Sequence, residues 1–313
     1  MENLTGSHQP RVSIGLPVFN AEKYLDQAID SILEQTFTDF ELIISDNCST
    51  DRTREICLAY ANKDFRIRYF RNEKNLGAAP NFNRVLELSV GEYFKWAACD
   101  DIVAPDFLAR CIEILDNDST IVLCYSRAKI IDEIGEFVDD YNPGPDTSSK
   151  KPHERFRKLI LHPEYATQQM GVIRSSILRQ TVLHGSYPSS DEVLLAQLAL
   201  FGGFFEIPDR LFYYRIYPQQ STQVMKTQRE RVLFFDTSYS GKVVLPKWQY
   251  LFACLKVIHD SPIYVYERVN CYLVMMQWLF VPAHFRAMGK DVLIAIRQLL
   301  VRPFLYLKQG FVR

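Results

Sequence analysis

The chain has 313 residues, 48% hydrophobic and 23% charged, a globular balance with room for one large domain or two ordinary ones. A formal net charge of −1 gives no bulk attraction to nucleic acid. The longest apolar run, residues 271–283, is broken by Gln277 and Pro282 and falls short of the ~20 residues a membrane-spanning helix needs.

Seven cysteines without a CxxC pair read as reduced core residues of a cytosolic protein, and the polar residues 1–10 do not read as a signal peptide. The chain then alternates between two periodicities. Residues 12–16 predict a strand, and 21–35 a helix with Tyr24, Leu25, Ala28, Ile29, Ile32 and Leu33 on one face. Strand 40–45, helix 51–62, strand 67–71, helix 80–89 and strand 93–98 follow, with Ser49 or Thr50 placed to cap the second helix. This order predicts an α/β fold, a Rossmann-like, largely parallel sheet with helices on both faces. A helix over 106–116 and a strand within 121–131 continue it. Residues 139–152 carry Asp, Pro, Gly and Ser and predict a loop. Residues 153–203 predict helix, including an amphipathic one after Asp191. Residues 204–217 return to β-prone types, and the chain beyond Met225 reads as helical and apolar.

In open α/β sheets ligands bind at the carboxyl ends of the strands. The loop after the first strand offers Pro17 to fix the backbone, Phe19 as a stacking face, Asn20 as an amide and Glu22 as a carboxylate. The loop after the second offers Asp46, placed to accept bonds from a base N–H or a ribose hydroxyl, and Asp51, which reads as turn or cap chemistry. The strand over 93–98 ends in Asp100 and Asp101. Adjacent carboxylates repel unless neutralised, and Mg²⁺ typically binds through one or two carboxylates plus substrate phosphates. The alternative is that Asp101 caps the helix opened by Pro105. No GxGxxG follows the first strand and no GxxxxGK[ST] occurs, which disfavours dinucleotide oxidoreductases and P-loop NTPases.

Five segments then carry a resemblance. They are Val12-Ser-Ile-Gly-Leu-Pro-Val-Phe-Asn20, Ser31-Ile-Leu-Glu-Gln-Thr-Phe37, Glu41-Leu-Ile-Ile-Ser-Asp-Asn-Cys-Ser-Thr-Asp51, Asn75-Leu-Gly-Ala-Ala-Pro-Asn81 and Ala98-Cys-Asp-Asp101. In order and spacing they resemble the nucleotide-sugar half of the family-two inverting glycosyltransferases of the GT-A fold. Farther on, Asp191-Glu-Val-Leu-Leu-Ala-Gln-Leu198 is similar to the segment carrying that family's catalytic base, with Ser190 for its usual Glu and Gln197 for its usual Arg. Tyr213-Tyr-Arg-Ile-Tyr217 is similar to a "Y-R-x-H" pattern, with Tyr217 in the place of the His.

The resemblance implies a sugar transferred with inversion from a nucleotide-diphosphate donor, UDP- or dTDP-linked, to a glycan or lipid-linked acceptor in cell-surface polysaccharide synthesis. It implies Pro17, Phe19, Asn20, Glu22, Asp46, Asn81 and Asp100 as nucleotide-sugar contacts. Asp101 would be the ligand of Mg²⁺ or Mn²⁺, and Asp191 the base, unless Asp191 is only a helix cap. It also implies a GT-A domain over 1–225, with a donor half near 10–116 and an acceptor half near 117–225, and a helical extension over 226–313. Two alternatives stand beside it: an inactive nucleotide-sugar or carbohydrate-binding scaffold, and a nucleotidyltransferase, which would need a basic phosphate loop that residues 16–22 lack. His162 and His184 read as structural or exposed, and Met275, Met276 and Trp278 as helix core. In the tail, Arg286, Lys290, Arg297, Arg302, Lys308 and Arg313 alternate with Val292, Leu293, Ile296, Leu299, Leu300, Phe304 and Leu305. That pattern fits a cytoplasmic protein resting peripherally on the inner face of a membrane, or a core-facing helix with a solvated basic side that could also join copies of the chain.

Overall fold

The structure is a computed structural model that describes residues 9–141, 147–162, 167–240 and 242–309. Strand β1 (Val12–Val18) leads to α1 (Leu25–Leu33), β2 (Phe40–Asp46), α2 (Thr53–Ala61), β3 (Ile67–Arg71), α3 (Ala78–Glu87) and β4 (Tyr93–Trp96). Next come β5 (Ile102–Val103), α4 (Phe107–Asn117), β6 (Ile121–Ile131), β7 (Phe137–Tyr141), α5 (Pro152–Leu161), β8 (Val172–Arg174), α6 (Ser175–Leu178), α7 (Ser190–Phe201) and β9 (Gly203–Arg215). Five helices follow: α8 (Ser221–Val224), α9 (Gln228–Phe235), α10 (Pro246–Asp260), α11 (Val265–Leu279) and α12 (Pro282–Gln309).

Among the described residues one sheet carries the nine strands, ordered β3-β2-β1-β4-β8-β6-β9-β5, with β7 beside β6. The first four strands are parallel, as their βαβ crossovers require. Every residue of β1 and β2 is buried, because helices cover both faces. On one face Val12, Ile14 and Leu16 pack with Leu25, Ile29 and Ile32 of α1 and Phe107, Leu108 and Cys111 of α4. On the other, Phe94 and Trp96 pack with Val85 of α3 and Leu194, Leu195 and Leu198 of α7. Gly15 permits this second contact: a Cβ there would come within 2.5 Å of Val85 Cγ2.

A third layer follows. Val193, Ala196 and Leu200 on the outer side of α7 pack with Phe156 of α5, Tyr250 and Cys254 of α10 and Val274 and Trp278 of α11. Full burial of a Val, Leu or Phe side chain in this layer contributes roughly 1.5–3 kcal/mol. Helix α7 is therefore buried on both sides and apolar around its circumference, where the sequence predicted an amphipathic helix. Helices buried all round carry no polar stripe.

The α/β fold with a helical extension is the fold of this chain, its sheet parallel over β1 to β4 and mixed beyond, with four local corrections. The stretch 153–203, expected to be helical, contains β8, which pairs antiparallel with both β4 and β6. Three residues are too few to display a period, so only the sheet reveals this strand. Residues 139–141 of the expected loop belong to β7, while 142–146 lie outside the described residues. Ser49 and Thr50 do not cap α2. Asp51 Oδ1 accepts from Thr53 N at 3.0 Å instead, because Asn20 engages both residues. Helix α4 has Asp106 as its N-cap residue, so Asp101 is not its cap. Within the described residues no helix is long and apolar enough to cross a membrane. Residues 1–8, Arg313 and the side chains of Leu300, Arg302, Phe304, Leu305 and Lys308 lie outside what is described.

Candidate functional site

The loops after β1 and β2 are tied into one surface. Asn20 has φ +50°, an αL conformation that Asn tolerates. Its backbone N–H donates to Ser49 Oγ at 3.0 Å, and its side-chain oxygen accepts from Thr50 N at 2.9 Å. Glu22 accepts from Arg52 N at 2.9 Å, and its own N–H donates to Asp51 Oδ2 at 3.1 Å. Asn20 and Glu22 thus clamp the two loops together. Pro17 is a buried residue of β1, and Phe19 is 46% exposed, its ring open to solvent.

Asp46, the last residue of β2, is 0% exposed. Its Oδ1 accepts from Ser49 N at 2.7 Å, and its Oδ2 accepts from Tyr69 Oη and Arg71, both at 2.8 Å. Asn81 is also enclosed. Its amide donates to Ser45 O at 2.9 Å, and its oxygen accepts from Ser45 Oγ at 2.7 Å and Asn72 at 3.1 Å. Asn72 and Asn75 extend this lattice through Asn47, which also donates to Gly77 O at 3.0 Å. The helical extension holds the same loop: Thr237 Oγ1 donates to Asn75 O at 2.9 Å. Asp46 and Asn81 therefore fix the floor and the rim of the loop cluster, with their polar atoms already partnered.

Asp100 and Asp101 follow β4 as the sequence predicted. Tyr217 Oη donates to Asp100 Oδ2 at 3.0 Å, and Arg215 N donates to Asp101 Oδ1 at 2.9 Å. Burial pushes the Asp100 carboxyl above its ordinary pKa. Asp101 is pushed well above it, by burial first and by the neighbouring Asp100 charge second. Two carboxylates raised in this way gain from an added cation. Among the described residues no third His, Cys, Asp or Glu joins them. The candidate donors are therefore two carboxylates, both oxygen, with the Tyr217 phenol spent as a hydrogen-bond donor to Asp100. They suit a hard divalent cation that completes its shell with phosphate and water.

Sequence reasoning missed Arg215 and Lys95. Arg215 is 0% exposed; its side chain donates to Asp100 O at 2.9 Å, Asp132 O at 3.0 Å and Gln27 Oε1 at 2.6 Å. It thereby joins β9, α1 and the Asp100 loop. The signal lay in the quoted Tyr213–Tyr217 segment, where Arg215 was the only cation. Lys95 is 1% exposed and donates to Met170 O at 2.7 Å and Trp96 O at 3.0 Å; burial pulls its pKa down to about 8.

Asp191 lies in the first turn of α7, whose N-cap residue is Ser189, so Asp191 is not the cap. Burial raises its pKa, offset in part by the N–H groups of Asp191 and Glu192. Ser190, beside it, is 1% exposed and its Oγ has no partner. Gln168 and Gln169 also carry buried unpartnered carboxamide oxygens, in a short 3-10 helix (Thr167–Met170) directly before β8. Gln197 accepts from Val182 N at 2.8 Å and so steadies the segment leading to Asp191. In that segment the buried His184 ring sits edge-on to Trp96 at 4.8 Å and to Phe82 at 5.0 Å, bringing it against β4. His162 is exposed at the end of α5; Met275 and Trp278 are core, and Met276 is half-exposed.

Known proteins bear on this geometry. An uncharacterized glycosyltransferase of Methanocaldococcus jannaschii is 30% identical over 174 residues, which cover 55% of this chain and 58% of that protein. Among solved structures, the 1–349 fragment of S. aureus TarS in complex with UDP is 18% identical at a TM-score of 0.57, covering 97% of this chain and 93% of the fragment. A mannosyltransferase from Pyrobaculum calidifontis, solved with GDP-Man and Mn²⁺, is 14% identical at 0.51, covering 94% of this chain and 87% of that one. These two likenesses concern the fold. The description of Glycosyl transferase family 2 matches residues 13–182, which hold β1 to β8 and the loops carrying Asn20, Asp46 and Asp101. More than half of the chain, including the whole parallel half of its sheet, thus follows that pattern, and the chain belongs to glycosyl transferase family 2.

Proposed function

We propose that the chain transfers a sugar from a nucleoside-diphosphate donor, UDP- or dTDP-linked, to an acceptor hydroxyl, with inversion at the anomeric carbon. The observation that carries this is the Asp100-Asp101 pair at the end of β4, raised by burial and bonded to Tyr217 and Arg215 across more than a hundred residues of chain. Such a pair takes a divalent cation, Mg²⁺ or Mn²⁺. Bound there, the cation would neutralise charge on the leaving diphosphate. Phe19 stacks the base. Asn20, Glu22, Asp46 and Asn81 act by holding the loops that receive the nucleotide.

Asp191 removes the proton of the acceptor hydroxyl. Its pKa, raised towards the working pH, suits a general base. Residues 1–225 carry the transfer and 226–313 brace it, as Thr237 does on the Asn75 loop. The acceptor is a glycan or a lipid-linked glycan. Seven free cysteines fit a reducing compartment.

The test is calorimetry with UDP and Mn²⁺, together with UDP release from a panel of UDP-sugars. Asp191→Asn should bind UDP like the parent and lose transfer by roughly 10²–10⁴-fold. Full transfer by a folded Asp191→Asn protein, or no nucleotide binding by the parent, refutes the proposal.

A further inference from the structure

Helix α12 packs by one side only. Met288, Asp291 and Ala295 are 4%, 3% and 8% exposed and mark that side. At 3.6 residues per turn, the next sector round the axis holds Leu299, Val292, Phe285 and Ile296, then Leu293. All five are exposed, Phe285 and Leu293 to 69%. The sector after it holds Arg286, Arg297 and Lys290, also exposed. The order round the helix is therefore core side, bare apolar side, basic edge. An ordinary surface helix has only core and polar sides.

Helix α11 also exposes Leu273 and Met276, to 54% and 48%, and Phe280 just after it is 75% exposed. Exposed apolar patches of this extent on a protein surface mark an interaction site. Charge says what kind. Residues 226–313 contain 13 Lys and Arg against 5 Asp and Glu, a net +8, which leaves −9 for residues 1–225 of a chain that totals −1. The one carboxylate of α12, Asp291, is turned inwards to Gln228 and the N–H of Lys247. Among the described residues, Arg286, Lys290 and Arg297 have no ion-pair partner; Arg286 Nε donates only to Pro282 O of its own helix.

We infer that α12, with the exposed side of α11, lies on an anionic lipid bilayer, its apolar sector in the headgroup region and its basic edge on the lipid phosphates. A basic, amphipathic helix that cannot span lies in the interfacial plane in this way. A second copy of the chain fits less well. An antiparallel two-fold contact through this face would set one basic edge beside the other, and like charges across an interface are unfavourable. The inference stands independently of the reaction proposed above.

The test uses the full chain and vesicles of phosphatidylcholine with and without phosphatidylglycerol. Co-sedimentation should need phosphatidylglycerol and weaken as salt rises. Combining Arg286→Gln, Lys290→Gln and Arg297→Gln should lower the partition coefficient by roughly 100-fold, at about fivefold for each charge near an anionic surface. Combining Phe285→Ser with Leu293→Ser should lower it by at least about tenfold. All five positions are exposed, so both variants should keep the parent's unfolding midpoint and UDP affinity. Equal partition of parent and variants overturns the inference. So does a lipid-free dimer in sedimentation velocity that Phe285→Ser with Leu293→Ser dissociates, which would assign the face to a second copy.

Discussion

Replacing His184 by Phe tests how the segment before Asp191 is held. The ring is 8% exposed, its Nε2 has no partner, and its aromatic neighbours are Phe82 and Trp96. Burial lowers its pKa from 6.5 to about 4. The sign follows from linkage: below pH 6.5 the unfolded chain binds a proton that the folded protein refuses. The neutral ring thus contributes stability that is complete above 6.5 and lost as pH falls towards 4. A shift of about 2.5 units corresponds to about 3 kcal/mol, of which about 2 kcal/mol should be gone by pH 5. Phenylalanine keeps a ring of similar size between Phe82 and Trp96 and cannot be protonated. At pH 7.5 the variant should lie within about 1.5 kcal/mol of the parent. Urea unfolding of both proteins from pH 7.5 to 4.5 measures the difference directly, and other titrating groups cancel. Parallel stability curves would refute the reasoning, because the ring would then reach solvent or a partner when charged.

Asp101→Ala should weaken UDP binding in the presence of Mn²⁺ by at least about tenfold, some 1.4 kcal/mol, read by calorimetry; unchanged affinity would remove Asp101 from the proposed metal set. Tyr217→Phe takes away the phenol that donates to Asp100, and it should cost about 1.5–3 kcal/mol in urea unfolding at neutral pH. Equal stability would mean that solvent already serves this carboxylate. Gly77→Ala meets both a φ of +95° and a Cβ position 2.6 Å from Asp236 Cα and Phe235 O. Strain alone costs about 1–3 kcal/mol, and relief of the clash should loosen the Asn75 loop from α9, lowering both the unfolding midpoint and UDP affinity.

Much of the architecture is written in consecutive residues. A strand or helix needs only its own run of apolar positions, so β1 to β4 and α1 to α4 are readable, and so are the carboxylates that end β2 and β4. The strand β8 escaped because its three residues gain their identity from pairing with β4 and β6, not from a period. The same holds for chemistry. Asp46 and Asn81 are polar residues at loop ends in the sequence, but folding surrounds each with partners more than twenty residues away, including Tyr69 and Ser45. Arg215 and Tyr217 reach Asp101 and Asp100 across 114 and 117 residues. No local pattern encodes such a bond, because it exists only once β9 has closed against β5 and β6. The alternation of basic and apolar residues in α12 was visible from the start. Which apolar side chains turn into the core and which stay bare was decided by where α10 and α11 pack against it, since a helix has one circumference and its neighbours choose the side they cover.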